Sequence, residues 1–253
     1  GGSAVPAGSN EEVNIAINRD ITSLDGSGGG FSSTTAAMHI YDCLVRLDET
    51  MEPEPSLATE WTMVDDLTWE FKLREGITFH DGSPFNAESV AFTFAHYTEA
   101  IDYKYNTQWG EAWPPSCEVV DEYTIRLKTP APQPAVPRLV SRLPMLPLDY
   151  GGKTIEEFFT APVGTGAYRF SEWENGISLT LTANEDYWRC TPQIQKIVYH
   201  IVSDDNARMA GFKSGEYDIV YAVPYDQVED INNTPGLKVL AQETIGYDSV
   251  QFN

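Results

Sequence analysis

Between Thr68 and Arg74 the large apolar side chains Trp69, Phe71 and Leu73 alternate with the charged Glu70, Lys72 and Arg74. A period of two sends the two sets to opposite sides of an extended chain, so this is a strand with one buried and one wet face. Gly76 interrupts it, Ile77–Phe79 reads as a short second strand, and His80-Asp-Gly-Ser-Pro84 brings Asp-Gly and Ser-Pro, both strong turn formers. Asn86 is then placed as an N-cap and Glu88 suits the positive end of a helix dipole. Val90, Phe94 and Tyr97, at i, i+4 and i+7, supply that helix's buried stripe. The unit reads as a strand, a turn and a capped helix in succession.

The flanking sequence extends the pattern. Val13–Ile17 alternates as a strand and runs into Asp20 and the flexible Gly26–Gly30 stretch. Ala37, Ile40, Tyr41, Leu44 and Val45 recur at helical spacing, which predicts a helix over Ser33–Leu47 capped by Ser32, Ser33 or Thr34. Tyr123–Lys128 reads as a strand, and prolines from Pro130 to Pro147 punctuate a broken helical passage around Arg138 and Arg142. Tyr168–Trp173 and Ile177–Leu181 suggest a hairpin, Ile197–Val202 a strand, Ala207–Gly215 a short helix and Tyr217–Tyr221 another strand. Lys238–Leu240 and Ser249–Phe252 are further strand candidates.

Charge and composition exclude several function classes. With 38 acidic against 16 basic residues the formal net charge is −22, and the clustered Lys and Arg needed to grip phosphates are missing, which argues against nucleic acid or anionic membrane as partner. The acids are spread along the chain, a pattern that serves solubility. No run of about 18 apolar residues spans a bilayer, and Gly1–Asn10 lacks the basic and apolar regions of a signal peptide. This opening reads as a flexible linker, either an expression scar or the tether left by a trimmed precursor. Cys43, Cys117 and Cys190 form no framework; buried unpaired thiols are expected, with one bridge and one free thiol the alternative in an oxidising exterior. His39, His80, His96 and His200 have no metal-ligand spacing, no nucleophile elbow is present, and Gly26–Gly30 fails the dinucleotide and phosphate-loop patterns. His80-Asp81 is explained as a turn, and neither a catalytic group, a metal nor a cofactor is expected.

Six blocks occur in order: Leu57–Trp61, Trp69–Arg74, Phe79–Ala87, Pro162–Phe170, Asn184–Trp188 and Ser214–Ile219. In content and spacing they resemble the extracytoplasmic solute-binding proteins of family 5, the oligopeptide-, dipeptide- and nickel-binding components of ABC importers. The resemblance implies an α/β, periplasmic-binding-protein-like type II fold, here the first lobe with an inserted α/β subdomain and the second lobe missing. Residues 1–10 would be linker, 11–40 and 160–253 the main part of the lobe, and 41–159 the insertion. It also implies a non-enzymatic receptor, extracytoplasmic and periplasmic or cell-surface, with lipid anchoring left open. Such a receptor would act as a monomer that captures short peptides or nickel chelates and delivers them to a membrane permease. A secreted carboxylate-dependent hydrolase and an adhesin or signalling co-receptor on the same scaffold are the alternatives.

The family's cleft positions translate to Asp20, to Phe31, Ser33 and Thr34, to Trp109, Trp113 and Arg142, and to Tyr247 and Asp248. A glycine-rich loop lets backbone amides approach a ligand while Phe31 adds apolar surface. The tryptophans suit a pocket wall or subdomain packing. Arg142 suits a ligand carboxylate or a structural ion pair, and Tyr247 and Asp248 suit an ammonium group.

Overall fold

The computed structural model describes residues 11–26, 30–99 and 110–241, apart from the side chain of Phe31. Trp109, Tyr247, Asp248 and the strand expected over Ser249–Phe252 lie outside the described residues.

β1 (Glu12–Ile17) is central in a five-stranded sheet of order β11-β1-β10-β9-β8. It runs parallel to β10 (Lys196–Ile201) and β11 (Ile219–Val220). β9 (Ser178–Ala183) and β8 (Tyr168–Glu174) continue the sheet antiparallel. Val13, Ile15 and Ile17 are buried on one face, and Ala16 is buried too, as expected of a central parallel strand covered on both sides. α1 (Gly30–Ala37) and α4 (Ile155–Thr160) place Ala36, Ala37 and Phe158 in the same core as Leu179, Leu181 and Tyr199.

A second sheet, β4-β5-β7-β6, is antiparallel throughout and consists of β4 (Ala58–Asp65), β5 (Thr68–Leu73), β6 (Ser116–Asp121) and β7 (Thr124–Lys128). Phe71 faces Trp61 on one side and Ile125 on the other, and α2 (Ala87–Glu99) closes the layer with Val90, Phe94 and Tyr97. Asn86 Oδ1 accepts from the backbone N–H groups of Glu88 and Ser89, so the predicted cap forms. A two-stranded ribbon, β2 (Val45–Leu47) with β3 (Pro53–Pro55), and α3 (Val136–Leu139), followed by the turn Val140–Arg142, pack against this second core. α5 (Asp205–Ser214) and α6 (Val228–Asn233) share a third, smaller core around Met209, Phe212 and Ile231.

Several expectations change. The helix predicted over Ser33–Leu47 spans only Gly30–Ala37, and Ser32, Ser33 and Thr34 lie inside it instead of capping it. The reason is hydrogen bonding: the carbonyls of His39 and Ile40 accept from Tyr168 and Gly166, and those of Cys43 and Leu44 from Leu57 and Ala58. Carbonyls committed to other segments leave no i→i+4 ladder to extend. Ile77–Phe79 makes a single bridge, Thr78 to Pro84, because the chain turns back too soon for a ladder. The strand expected over Tyr217–Tyr221 shortens to β11, and Lys238–Leu240 forms none. β6 has no clean alternation since its edge position leaves Val119 and Val120 exposed. All three cysteines are free, but only Cys43 is buried; Cys117 is half-buried and Cys190 exposed. Among the described residues no helix is long and apolar enough to cross a membrane.

Candidate functional site

Three of the ordered blocks, Phe79–Ala87, Pro162–Phe170 and Asn184–Trp188, converge on the joint between the two sheets. Gly164 and Gly166 press so closely on the backbone of residues 39 and 40 that a Cβ on Gly164 would stand 2.0 Å from the Ile40 oxygen. That approach lets Gly166 N–H reach the Ile40 carbonyl at 2.9 Å. From the second sheet's side the Phe79–Pro84 turn brings in His80. Its Nε2 lies 2.9 Å from the Gly166 carbonyl and must donate to it, while Gly164 N–H, 3.4 Å from Nδ1, requires that nitrogen to accept. Arg169 donates to the His80 carbonyl and to Asn184 Oδ1, and Asn184 donates to the Gly166 carbonyl at 3.2 Å.

Asp42 closes the joint. Its carboxylate accepts from Thr165 Oγ1 at 3.0 Å, Tyr187 OH at 2.9 Å and Trp188 Nε1 at 2.9 Å. Burial raises its pKa, and the three donors and the nearby Arg189 oppose that shift. The joint therefore holds the two sheets in one arrangement through groups drawn from both.

Burial, with the nearby Arg169 charge, lowers the His80 pKa from 6.5 to about 4 against the opposing bond to Gly166 and the charge of Asp81. A group whose folded pKa lies below its unfolded value favours unfolding as it takes up a proton. His80 thus costs the fold stability as pH falls from about 6.5 through about 4. Relative to a His80→Gln variant, wild type should lose about 3 kcal/mol of unfolding free energy between pH 7 and pH 4. Urea titrations of both proteins across that range check this; parallel pH profiles would refute it.

The second feature is the carboxyl edge of the parallel strands. In open α/β sheets ligands sit outside the carboxyl ends of strands, where successive connections diverge. Here the chain leaves β1 towards α1 and leaves β10 towards α5, with β1 lying between β10 and β11. Asp20 belongs to the β1–α1 connection, and Ser33 and Thr34 lie in α1, to which it leads. Ser33 is fully buried, and its Oγ accepts from the N–H groups of Thr22 and Ser23 at 3.0 and 3.4 Å, so it shapes the loop. Thr34 is half-buried. Asp20 is half-buried as well, yet its Oδ1 is enclosed and has no hydrogen-bond partner among the described residues. A carboxylate oxygen left in that state is an acceptor awaiting a donor.

Arg208 underlies the same edge. It is fully buried and donates to the carbonyls of Val202, Tyr221 and Ala222 at 2.8, 3.1 and 2.8 Å and to Asp205 at 2.5 Å. It ties the chain leaving β10 to the chain leaving β11 and holds Ala222 at a left-handed φ of 57°. Sequence reading passed over Arg208, Asp42 and Asn184. The one signal for Arg208 is its place beside Met209 on the helix's buried side.

The other expected contacts sit elsewhere. Trp113 is half-buried and packs against the second sheet's core. Arg142 is exposed on the Val140–Arg142 turn, beside that same core. The structure thus groups Asp20, Ser33 and Thr34 with the first sheet, and Trp113 and Arg142 with the second. Among the described residues no cluster of His, Cys, Asp or Glu is placed to hold a metal ion.

Comparison with known proteins bears on both features. The model of the bacterial extracellular solute-binding proteins, family 5 Middle, matches residues 52–253. The glutathione-binding protein GsiB of Pectobacterium atrosepticum is 30% identical over 261 residues, covering 99% of this chain and 49% of that relative. The Helicobacter pylori periplasmic binding protein DppA, solved in complex with the peptide STSA, is 28% identical with a TM-score of 0.81 over 88% of this chain and 49% of that one. MoaA of A. tumefaciens R10, solved with mannopinic acid, is 26% identical with a TM-score of 0.81 over 88% of this chain and 48% of that one. The chain spans about half the length of the curated relatives it matches, and its fold is the mixed α/β fold of the type II periplasmic binding proteins. With the family model matching most of its length, the chain belongs to the bacterial extracellular solute-binding proteins of family 5.

Proposed function

We propose that this protein is the solute-capturing receptor of an ABC importer, working outside the cytoplasmic membrane and handing a small solute, a short peptide or peptide-like compound, to a permease. The observation that carries this reading is the family match over residues 52–253. Relatives whose names or complexes include glutathione, the peptide STSA and mannopinic acid support a small polar cargo. We place the cargo outside the carboxyl ends of β1, β10 and β11, against Asp20, Phe31, Ser33 and Thr34, with Trp109, Trp113, Arg142, Tyr247 and Asp248 as further contacts. Residues 11–40 and 160–253 form the main part of the lobe and 41–159 its insertion.

In this arrangement the enclosed Asp20 oxygen receives a donor when solute and closing lobe arrive. One charge-assisted hydrogen bond contributes about 1.5–3 kcal/mol, equivalent to roughly ten- to a hundredfold in affinity. Mass spectrometry of solute released from the denatured intact protein should identify the cargo. Calorimetry with that compound should then show Asp20→Ala weaker by about tenfold or more. Release of nothing small, or turnover of a peptide by the purified protein, would overturn the receptor reading in favour of an adhesin or a hydrolase. Unchanged affinity in Asp20→Ala would remove Asp20 from the site.

A further inference from the structure

The chain has nine arginines and seven lysines, and they are not mixed at random. A crevice of about 260 Å³ opens between β2, the Val140–Arg142 turn and the Tyr187–Arg189 segment, lined in part by Arg46, Arg189, Ser56 and Ser141. Arg74 joins this group from behind, because its Nε donates to the Ser56 carbonyl at 3.2 Å while Arg189 Nη2 reaches Ser56 Oγ at 3.5 Å. The Ser141 hydroxyl donates to the Arg138 carbonyl at 2.7 Å, while the Arg138 guanidinium turns away to the Met51 carbonyl and Glu52. Two of the nine arginines, Arg46 and Arg189, line the crevice with Arg74 bonded beside them through Ser56, and among the described residues no lysine lines it.

Two of these guanidiniums are set apart by their partners. Arg46 is paired with Glu54 at 2.5 Å and Arg138 with Glu52 at 3.7 Å. Arg74 and Arg189 form no salt bridge among the described residues; each instead lies 4.7 Å from the centre of the Trp188 ring. In a chain where acids outnumber bases by more than two to one, arginines with no ion pair among the described residues are out of keeping with the composition, although Asp42 lies near Arg189. The stacking and the bond to Ser56 hold Arg189 in a fixed orientation, and its Nε is enclosed with no acceptor. Asp42 also lines the crevice, but its carboxylate is already met by Thr165, Tyr187 and Trp188.

We infer that this crevice is a second binding site, separate from the solute edge, for a small oxyanion held by Arg46 and Arg189 with the hydroxyls of Ser56 and Ser141. The choice of arginine over lysine fits planar, two-pronged recognition of a carboxylate or phosphate. The volume falls below the roughly 300–1,000 Å³ of ordinary ligand pockets, which suits a small anion and not a peptide. Asp20, Ser33 and Thr34 are not among the lining residues, so occupancy here does not depend on the solute reading.

The test titrates the intact protein with inorganic phosphate, sulfate and citrate at constant ionic strength set with sodium chloride, reading thermal unfolding and calorimetric heat. At least one anion should bind saturably beyond the chloride control. Arg46→Gln and Arg189→Gln should each weaken it by at least tenfold, and Arg126→Gln, on the outer face of the second sheet, should not. Arg46 is half-exposed, so its variant decides the matter even where Arg189→Gln fails to fold. Responses matching chloride for all three anions, or wild-type affinity in Arg46→Gln, overturn the site.

Discussion

Replacing Gly164 with alanine should abolish folding or remove at least about 4 kcal/mol of stability, far more than a surface methyl group normally costs. The added Cβ would stand 2.0 Å from the Ile40 oxygen and 2.8 Å from both the Ile40 carbonyl carbon and Tyr41 Cδ1. Two of these are backbone atoms, which cannot swing aside as a side chain tip does. Relief requires the two segments to separate, and separation breaks the Gly166 to Ile40 and His80 to Gly164 backbone bonds together. Gly176→Ala is the control. Nothing lies within 4 Å of its Cβ position, but its φ is +75°, so only the left-handed strain of about 1–2 kcal/mol applies. Denaturant titration of both variants separates steric exclusion at the joint from ordinary glycine strain; equal losses would refute the close-approach account.

The second large effect is expected at Asp42. Asp42→Ala removes the acceptor of three side-chain donors, one of which, Thr165, is 1% exposed and has no route to water. Leaving buried donors unpaired costs about 1–3 kcal/mol each, and since the three act as one cluster a total of about 3 kcal/mol is expected. Asp42→Asn should cost much less, about 1 kcal/mol. Its amide oxygen can occupy the Oδ2 position and accept from Thr165 and Trp188. Its NH2 then donates to the Tyr187 hydroxyl, which can turn to accept. Chemical denaturation checks both. A loss in Asp42→Asn as large as in Asp42→Ala would mean that the charge, not the hydrogen bonds, holds the joint.

These two residues also mark where sequence reading ends. Alternation through Trp69, Phe71 and Leu73 and the helical stripe of Val90, Phe94 and Tyr97 were legible because one element's period reports directly which face is buried. The cap at Asn86 was legible for a similar reason, since all its partners lie within three residues. The Ser33–Leu47 helix was misread because its apolar spacing is real but local. Ile40 and Leu44 are buried as predicted, while their carbonyls answer to donors at Gly166 and Ala58. Asp42 was invisible for the same reason: its partners stand 123, 145 and 146 residues away. Of the expected contacts that the structure describes, Asp20 alone keeps an enclosed polar atom with no partner among the described residues; Ser33 is spent on the preceding loop and Trp113 on packing.

By itself, then, the sequence determined β5 and β7 of the second sheet, the helix α2 against it and, through its ordered blocks, the resemblance to family 5 with the α/β class that it implies. These follow from local periodicity and from short motifs whose spacing survives without coordinates. Only the tertiary structure decided what the blocks do. It placed Gly164, Gly166, His80, Asn184 and Trp188 at the joint and not at the carboxyl edge of the parallel strands, brought Arg208 beneath the ends of β10 and β11, and set Arg46 and Arg189 in one crevice. Each of these depends on hydrogen bonds and contacts between distant segments, and a side chain's partner across the fold is set by packing that no local period encodes.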